Sequence, residues 1–89
     1  MVIERDFKIK NKLGLHARAA AQFVKTANRF SSEIQVSKDR TEANGNSIMG
    51  VLTLAAALGS TIKVRANGSD AEEALQSIET LINAKFGEE

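Results

Sequence analysis

The sequence predicts an α+β fold in which helices cover one face of an antiparallel sheet. Two observations carry that expectation. Short stretches alternate apolar and polar residues, so each strand has one face to bury and one to leave in water. Between them, apolar residues recur at helical spacing, so each helix offers one stripe to the same layer. The order is strand, helix, strand, strand, helix, strand, helix (β-α-β-β-α-β-α).

Phe7 and Ile9 alternate with Lys8 and Lys10 and mark the first strand. Gly14 permits a turn. Ala17, Ala20, Phe23, Val24 and Ala27 follow at helical spacing, and Phe30-Ser31-Ser32 closes that region. Ile34 and Val36, set between Glu33, Gln35 and Ser37, read as the second strand. Lys38-Asp39-Arg40 reads as a tight turn into a short third strand over Thr41 to Ala43.

Asn44-Gly45-Asn46 is a loop signal, and Ser47 is the candidate N-cap of a short helix holding Ile48, Val51 and Leu52. After Gly59, Ile62, Val64 and Ala66 alternate with Lys63 and Arg65 as the last strand. Asn67-Gly68 turns the chain. Ser69-Asp70-Ala71-Glu72 matches a capping box, with Ser69 as cap and Glu72 reaching back. Ala71, Ala74, Leu75, Ile78, Leu81 and Ile82 form the best helical stripe. Gly87-Glu88-Glu89 reads as a frayed end.

Composition narrows the function classes. With 89 residues the chain is expected to form one domain, residues 1–89. Its hydrophobic content of 43% and charged content of 26% fit a globular protein rather than a disordered one. A net charge of +1 is too balanced to argue for nucleic acid. Arg5, Lys8, Lys10, Lys12 and Arg18 give the N-terminal part a basic tint, but no Trp or Tyr is present to stack on bases. There is no cysteine and one histidine, so neither a disulfide nor a metal site is expected, and no cofactor. Charges at Glu4, Arg5 and Asp6 interrupt any signal peptide. The longest apolar stretch, Ile48 to Leu58, falls short of the roughly 20 residues that span a bilayer. A cytoplasmic location without membrane contact is the expectation.

The chemistry-bearing segment is Gly14-Leu15-His16-Ala17-Arg18-Ala19-Ala20-Ala21. His16 stands at the mouth of an alanine-rich helix with no Ser, Thr, Asp or Asn beside it to cap the first N–H groups. Those groups, together with the positive end of the helix dipole, can meet an anion. Imidazole is a competent phosphoryl acceptor near neutral pH, and Arg18 can offer forked donors to phosphate oxygens. A lone histidine at a helix start is more often a solvated surface residue, so spacing nominates His16 without assigning it. A self-contained hydrolase is disfavoured, because no carboxylate lies beside His16 in sequence.

Gly14-Leu15-His16-Ala17-Arg18, followed at a distance by Ser47-Ile48-Met49-Gly50-Val51, resembles the HPr family. These are histidine-containing phosphocarriers of the bacterial phosphoenolpyruvate-dependent phosphotransferase system. The resemblance spans essentially the whole chain. It implies an open-faced β-sandwich, a four-stranded antiparallel sheet covered on one face by three helices. It implies that His16 takes a phosphoryl group on Nδ1 from phospho-enzyme I and passes it to an enzyme IIA component. Arg18 would neutralise the phosphate, and the Ala17 and Arg18 backbone would bind it. Such a protein carries the group in sugar uptake or its regulation, and is not a self-contained catalyst.

The resemblance also makes Ser47 the regulatory serine that an HPr kinase/phosphorylase modifies. It puts the partner-docking face on Leu15, Ala21, Ile48, Met49 and Leu52, of which Met49 best suits a surface that meets several partners. A monomer is expected. Ala19 stands where the family commonly has proline. That position lies in the first helical turn, where the N–H has no intrahelical partner in any case. Asn11-Lys12-Leu13-Gly14 and Phe86-Gly87-Glu88-Glu89 are similar to the nitrogen-related branch, NPr, whereas Ser47-Ile48-Met49-Gly50 leans toward kinase-regulated HPr. Two other classes stay open at this point: a small nucleic-acid-binding module, and an interaction domain that transfers nothing.

Overall fold

In the computed structural model, which describes residues 1–88, the elements follow the predicted order. They are strand β1 (Val2–Lys8), helix α1 (Ala17–Ala27), strand β2 (Glu33–Lys38), strand β3 (Thr41–Asn44), helix α2 (Ile48–Thr53), strand β4 (Thr61–Asn67) and helix α3 (Ala71–Asn83). The four strands form one antiparallel sheet in the order β1-β4-β2-β3. The last strand therefore fills the centre, between β1 and β2. The two-residue turn Asp39-Arg40 joins β2 to β3, with Asp39 at φ 54.

Alternation dictates which face is covered. Ile34 and Val36 of β2 and Ile62, Val64 and Ala66 of β4 are fully buried, while Glu33, Gln35, Thr61, Lys63 and Arg65 between them face solvent. Their apolar face packs against Ala20, Phe23 and Ala27 of α1, Val51 of α2 and Ala71, Leu75, Ile78 and Ile82 of α3 in one continuous core. The other face of the sheet is polar and open.

β1 begins earlier than its apolar pair suggested. Ile3 and Arg5 share the core side of β1 with Phe7, and Arg5 reaches over the sheet edge to Glu72 of α3 through two contacts of 2.8 and 2.9 Å. Ile9 lies past the strand end but stays paired, exchanging backbone hydrogen bonds with Ser60 and Gly59 at 2.8 and 2.9 Å.

Two terminal expectations are corrected. The capping box at Ser69 does not form: Asp70 is the residue before α3, and no side chain caps that helix. Glu72 is drawn to Arg5 instead, and the Asp70 carboxylate is taken by the loop before β2, where it accepts from the Ser31 and Ser32 amides at 2.9 Å each. The C-terminal segment is also not frayed through Glu88. Lys85, Phe86 and Gly87 take φ values of 56, 56 and 73 and wind the chain back on itself. The left-handed region costs a non-glycine residue roughly 1–2 kcal/mol, and burial of the Phe86 ring in the core offsets that cost. Glu89 lies outside the described residues.

Candidate functional site

Gly14 sets the approach to the helix mouth. It sits at φ +65, and a Cβ there would collide with the Ala56 carbonyl and come within 2.9 Å of the Ala57 Cα. Only glycine meets both demands. The contact is close because Leu15 N–H donates to the Ala56 carbonyl at 2.9 Å, pinning the turn to the segment after α2.

His16 is the N-cap of α1, with an extended backbone (φ −74, ψ 178) and no side-chain cap bond. Its carbonyl accepts the first intrahelical bond, from Ala20 at 2.8 Å. The N–H groups of Ala17, Arg18 and Ala19 precede that bond and have no intrahelical acceptor. No acidic residue occupies the first turn, so no side chain of the helix itself offsets the positive end of its dipole. Ala17 and Arg18 are exposed and Ala19 and Ala20 are buried, so the helix start is anchored on one side and open on the other. The Arg18 side chain makes no ion pair among the described residues.

A carboxylate missing from the sequence neighbourhood arrives from the chain's other end. Glu88 Oε2 lies 3.5 Å from His16 Nε2, and the His16 side chain keeps 27% of its surface exposed. Glu88 accepts from the Leu13 amide and from Asn11 Nδ2, both at 3.0 Å. Asn11 is fully buried and also donates to the Gly14 carbonyl at 2.7 Å. Its Oδ1 is buried without a partner among the described residues. The Asn11 amide, the Leu13 backbone and His16 hold the Glu88 carboxyl below its ordinary range, in that order of importance. Neither Asn11 nor Glu88 was signalled by local spacing.

Ser47 is the N-cap of α2, its Oγ accepting from the Gly50 amide at 3.0 Å. α2 lies alongside α1 with opposite sense. Its start is tied to the C-cap of α1 by the Asn46–Asn28 side-chain bond, and its end leads to Ala56, at the Leu15 turn. α1 is 11 residues long, roughly 16 Å. Ser47 and His16 therefore sit toward opposite ends of that helix.

The expected docking residues separate. Ile48 and Met49 are exposed at 42% and 73%, and Ala21 and Leu52 are half-buried. Leu15 is the exception: it is buried in the core, because the bond to Ala56 turns its side chain inward, so it offers no surface. Leu13, three residues before His16, and Leu58, in the segment between α2 and β4, are exposed at 63% and 56%. Lys10 and Arg5 of the basic tint are engaged by Asn83 and Glu72.

Comparisons with known proteins agree with this geometry. The family model described as "PTS HPr component phosphorylation site" matches residues 3–84. The phosphocarrier protein HPr of Neisseria meningitidis is 46% identical over 87 residues, covering 98% of each chain. Among solved structures, HPr-C-His of Thermoanaerobacter tengcongensis superposes with a TM-score of 0.93 at 50% identity, covering 98% of each chain. An HPr dimer from the same organism matches with a TM-score of 0.78 at 51% identity, covering 92% of this chain and 94% of that one.

Proposed function

Since the chain belongs to the HPr family of phosphotransferase-system phosphocarriers, we propose that it carries a phosphoryl group on His16, taken from phospho-enzyme I and given to an enzyme IIA component. The observation that supports this most is the partly exposed imidazole at an uncapped helix start. In the transfer, the His16 Nδ1 lone pair attacks phosphorus. The donor's N–P bond breaks, and its electron pair returns to the donor ring. The new dianion meets the open N–H groups of Ala17 and Arg18, where the helix dipole contributes about 0.3–1 kcal/mol. The Arg18 guanidinium, exposed and uncommitted, swings onto the phosphate oxygens. An N–P bond replaces an N–P bond, so the step is reversible and suits a carrier.

Ser47 is the regulatory site in this reading. A phosphate there adds about −1.5 to −2 charge at a helix N-cap, which α2 tolerates. Its effect falls on docking, because Ile48 and Met49 follow directly and are exposed. Leu13, Leu58, Ala21 and Leu52 extend the apolar surface. A transient interface below about 1,200 Å² fits a carrier that must release quickly.

The protein works as a single domain and as a monomer in the bacterial cytoplasm, in sugar uptake or its regulation. The HPr dimer from Thermoanaerobacter tengcongensis makes oligomeric state worth measuring, and one peak at 9.6 kDa in light scattering is the expected result. The NPr-like C-terminal segment, which folds under His16, favours the nitrogen-related branch as a second reading. Incubation with phosphoenolpyruvate and enzyme I of either branch tests both. Acid-labile label on His16 from one enzyme I, and much slower labelling from the other, assigns the branch. No label from either overturns the carrier reading.

A further inference from the structure

Resting on that carrier reading, we propose that Glu88 is a positioning residue for His16. The C-terminal turn delivers it to hold the imidazole by its Nε2 side and leave Nδ1 with the free lone pair. Three observations meet at this point. First, Glu88 Oε2 faces Nε2 at 3.5 Å, longer than a formed hydrogen bond, and the two become an ion pair only when the ring is cationic. Second, the carboxylate is fixed before it meets the ring. The Leu13 amide holds Oε1, the Asn11 amide holds Oε2, and the Glu88 side chain is only 13% exposed. Asn11 cannot turn over, because its oxygen would then oppose the Gly14 carbonyl and the Glu88 carboxylate. Third, the turn that brings Glu88 here is built with two non-glycine residues at positive φ and a buried Phe86 ring. The buried ring anchors the turn, and the turn sets Glu88 beside His16.

The chemistry follows from the contact. In neutral imidazole a carboxylate favours the proton on the nitrogen it faces, so Nε2 keeps the proton and Nδ1 is the nucleophile. When Nδ1 bonds to phosphorus, the donor's N–P bond breaks and its electron pair stays with the donor ring. The His16 ring then carries a positive charge with its proton still on Nε2. Glu88 faces that charge, so its attraction grows as the transfer proceeds.

Ring-15N spectra of histidine-labelled protein test this in the absence of any partner. In native protein at a pH where the imidazole is neutral, the Nε2–H share is expected to exceed that in Glu88→Ala, which moves toward an imidazole in water. Glu88→Gln keeps the bulk but has one acceptor oxygen for two donor sites, and shifts the same way by less. It covers the case in which Glu88→Ala loosens the turn. With phospho-enzyme I, Glu88→Ala is expected to lower kcat about five- to tenfold with KM within about twofold. Identical tautomer ratios in all three proteins, or an unchanged kcat, overturn the proposal. A native protein that accepts no phosphoryl group overturns the carrier reading instead, and the tautomer comparison still decides the role of Glu88.

Discussion

Asp70 holds Ser32 through both its amide and its hydroxyl, from a position one residue before α3. The same carboxylate takes the Ser31 amide at 2.9 Å and its hydroxyl at 3.2 Å. One side chain thus locks the start of α3 to the loop that feeds β2. The Ser32 hydroxyl first, then the Ser31 amide, lower the Asp70 carboxyl from 3.8 to about 2. The folded value lies below the unfolded one. The stabilisation is therefore complete above the ordinary carboxylate range and is lost as pH falls from about 4 toward 2. Thermal melts of native protein and Asp70→Asn across that range should show a gap in Tm that closes on acidification. A gap independent of pH would contradict this.

Gly14→Ala places a methyl group against the Ala56 carbonyl at a φ that alanine resists. We expect a loss of about 2 kcal/mol or more, read by urea denaturation. Because the same turn aims His16, phosphoryl uptake should fall as well. A variant as stable and as active as native protein would show that the turn does not set the site.

Ser47→Ala removes the only side-chain cap of a six-residue helix. Stability should drop by about 1 kcal/mol. Ser47→Asp retains an acceptor at the N-cap and should stay within about 0.5 kcal/mol of native. Its Kd for enzyme I should nevertheless rise about tenfold, since the added charge borders Ile48 and Met49. Loss of affinity in the alanine variant and not in the aspartate variant would reverse the assignment.

Met49 is 73% exposed, so Met49→Glu should leave the melting temperature nearly unchanged. A charge in an apolar docking surface should weaken enzyme I binding about tenfold, mainly through faster dissociation. Titration calorimetry reads the first effect, and stopped-flow the second. Full affinity would move the docking surface elsewhere.

Much of this architecture was legible because it rests on local patterns. Period-two stretches gave β2 and β4 their buried residues, and helical spacing gave α3 its stripe. Ser47 caps α2 by the short-range rule that nominated it. The strand order was hidden, since β4 enters the centre of the sheet by pairing with two strands distant in sequence.

Local rules failed where distant partners competed. Glu72 left its capping box for Arg5, and Asp70 was claimed by Ser31 and Ser32. Leu15 stands beside the functional residue in sequence yet packs in the core, because its amide is fixed by Ala56. At the candidate site, His16 and its open helix end were visible in the residues themselves. Glu88 was not: Gly87 reads as part of a frayed end, and the positive φ of the non-glycine Lys85 and Phe86 before it leaves no local signal that the chain turns back.

The central claim is that His16 is the phosphoryl acceptor. The most direct measurement is labelling with radioactive phosphoenolpyruvate and catalytic enzyme I, followed by acid treatment. Native protein should take up close to one phosphoryl group that survives base and is lost in acid, and folded His16→Ala should take up none. Undiminished label on His16→Ala would contradict the account.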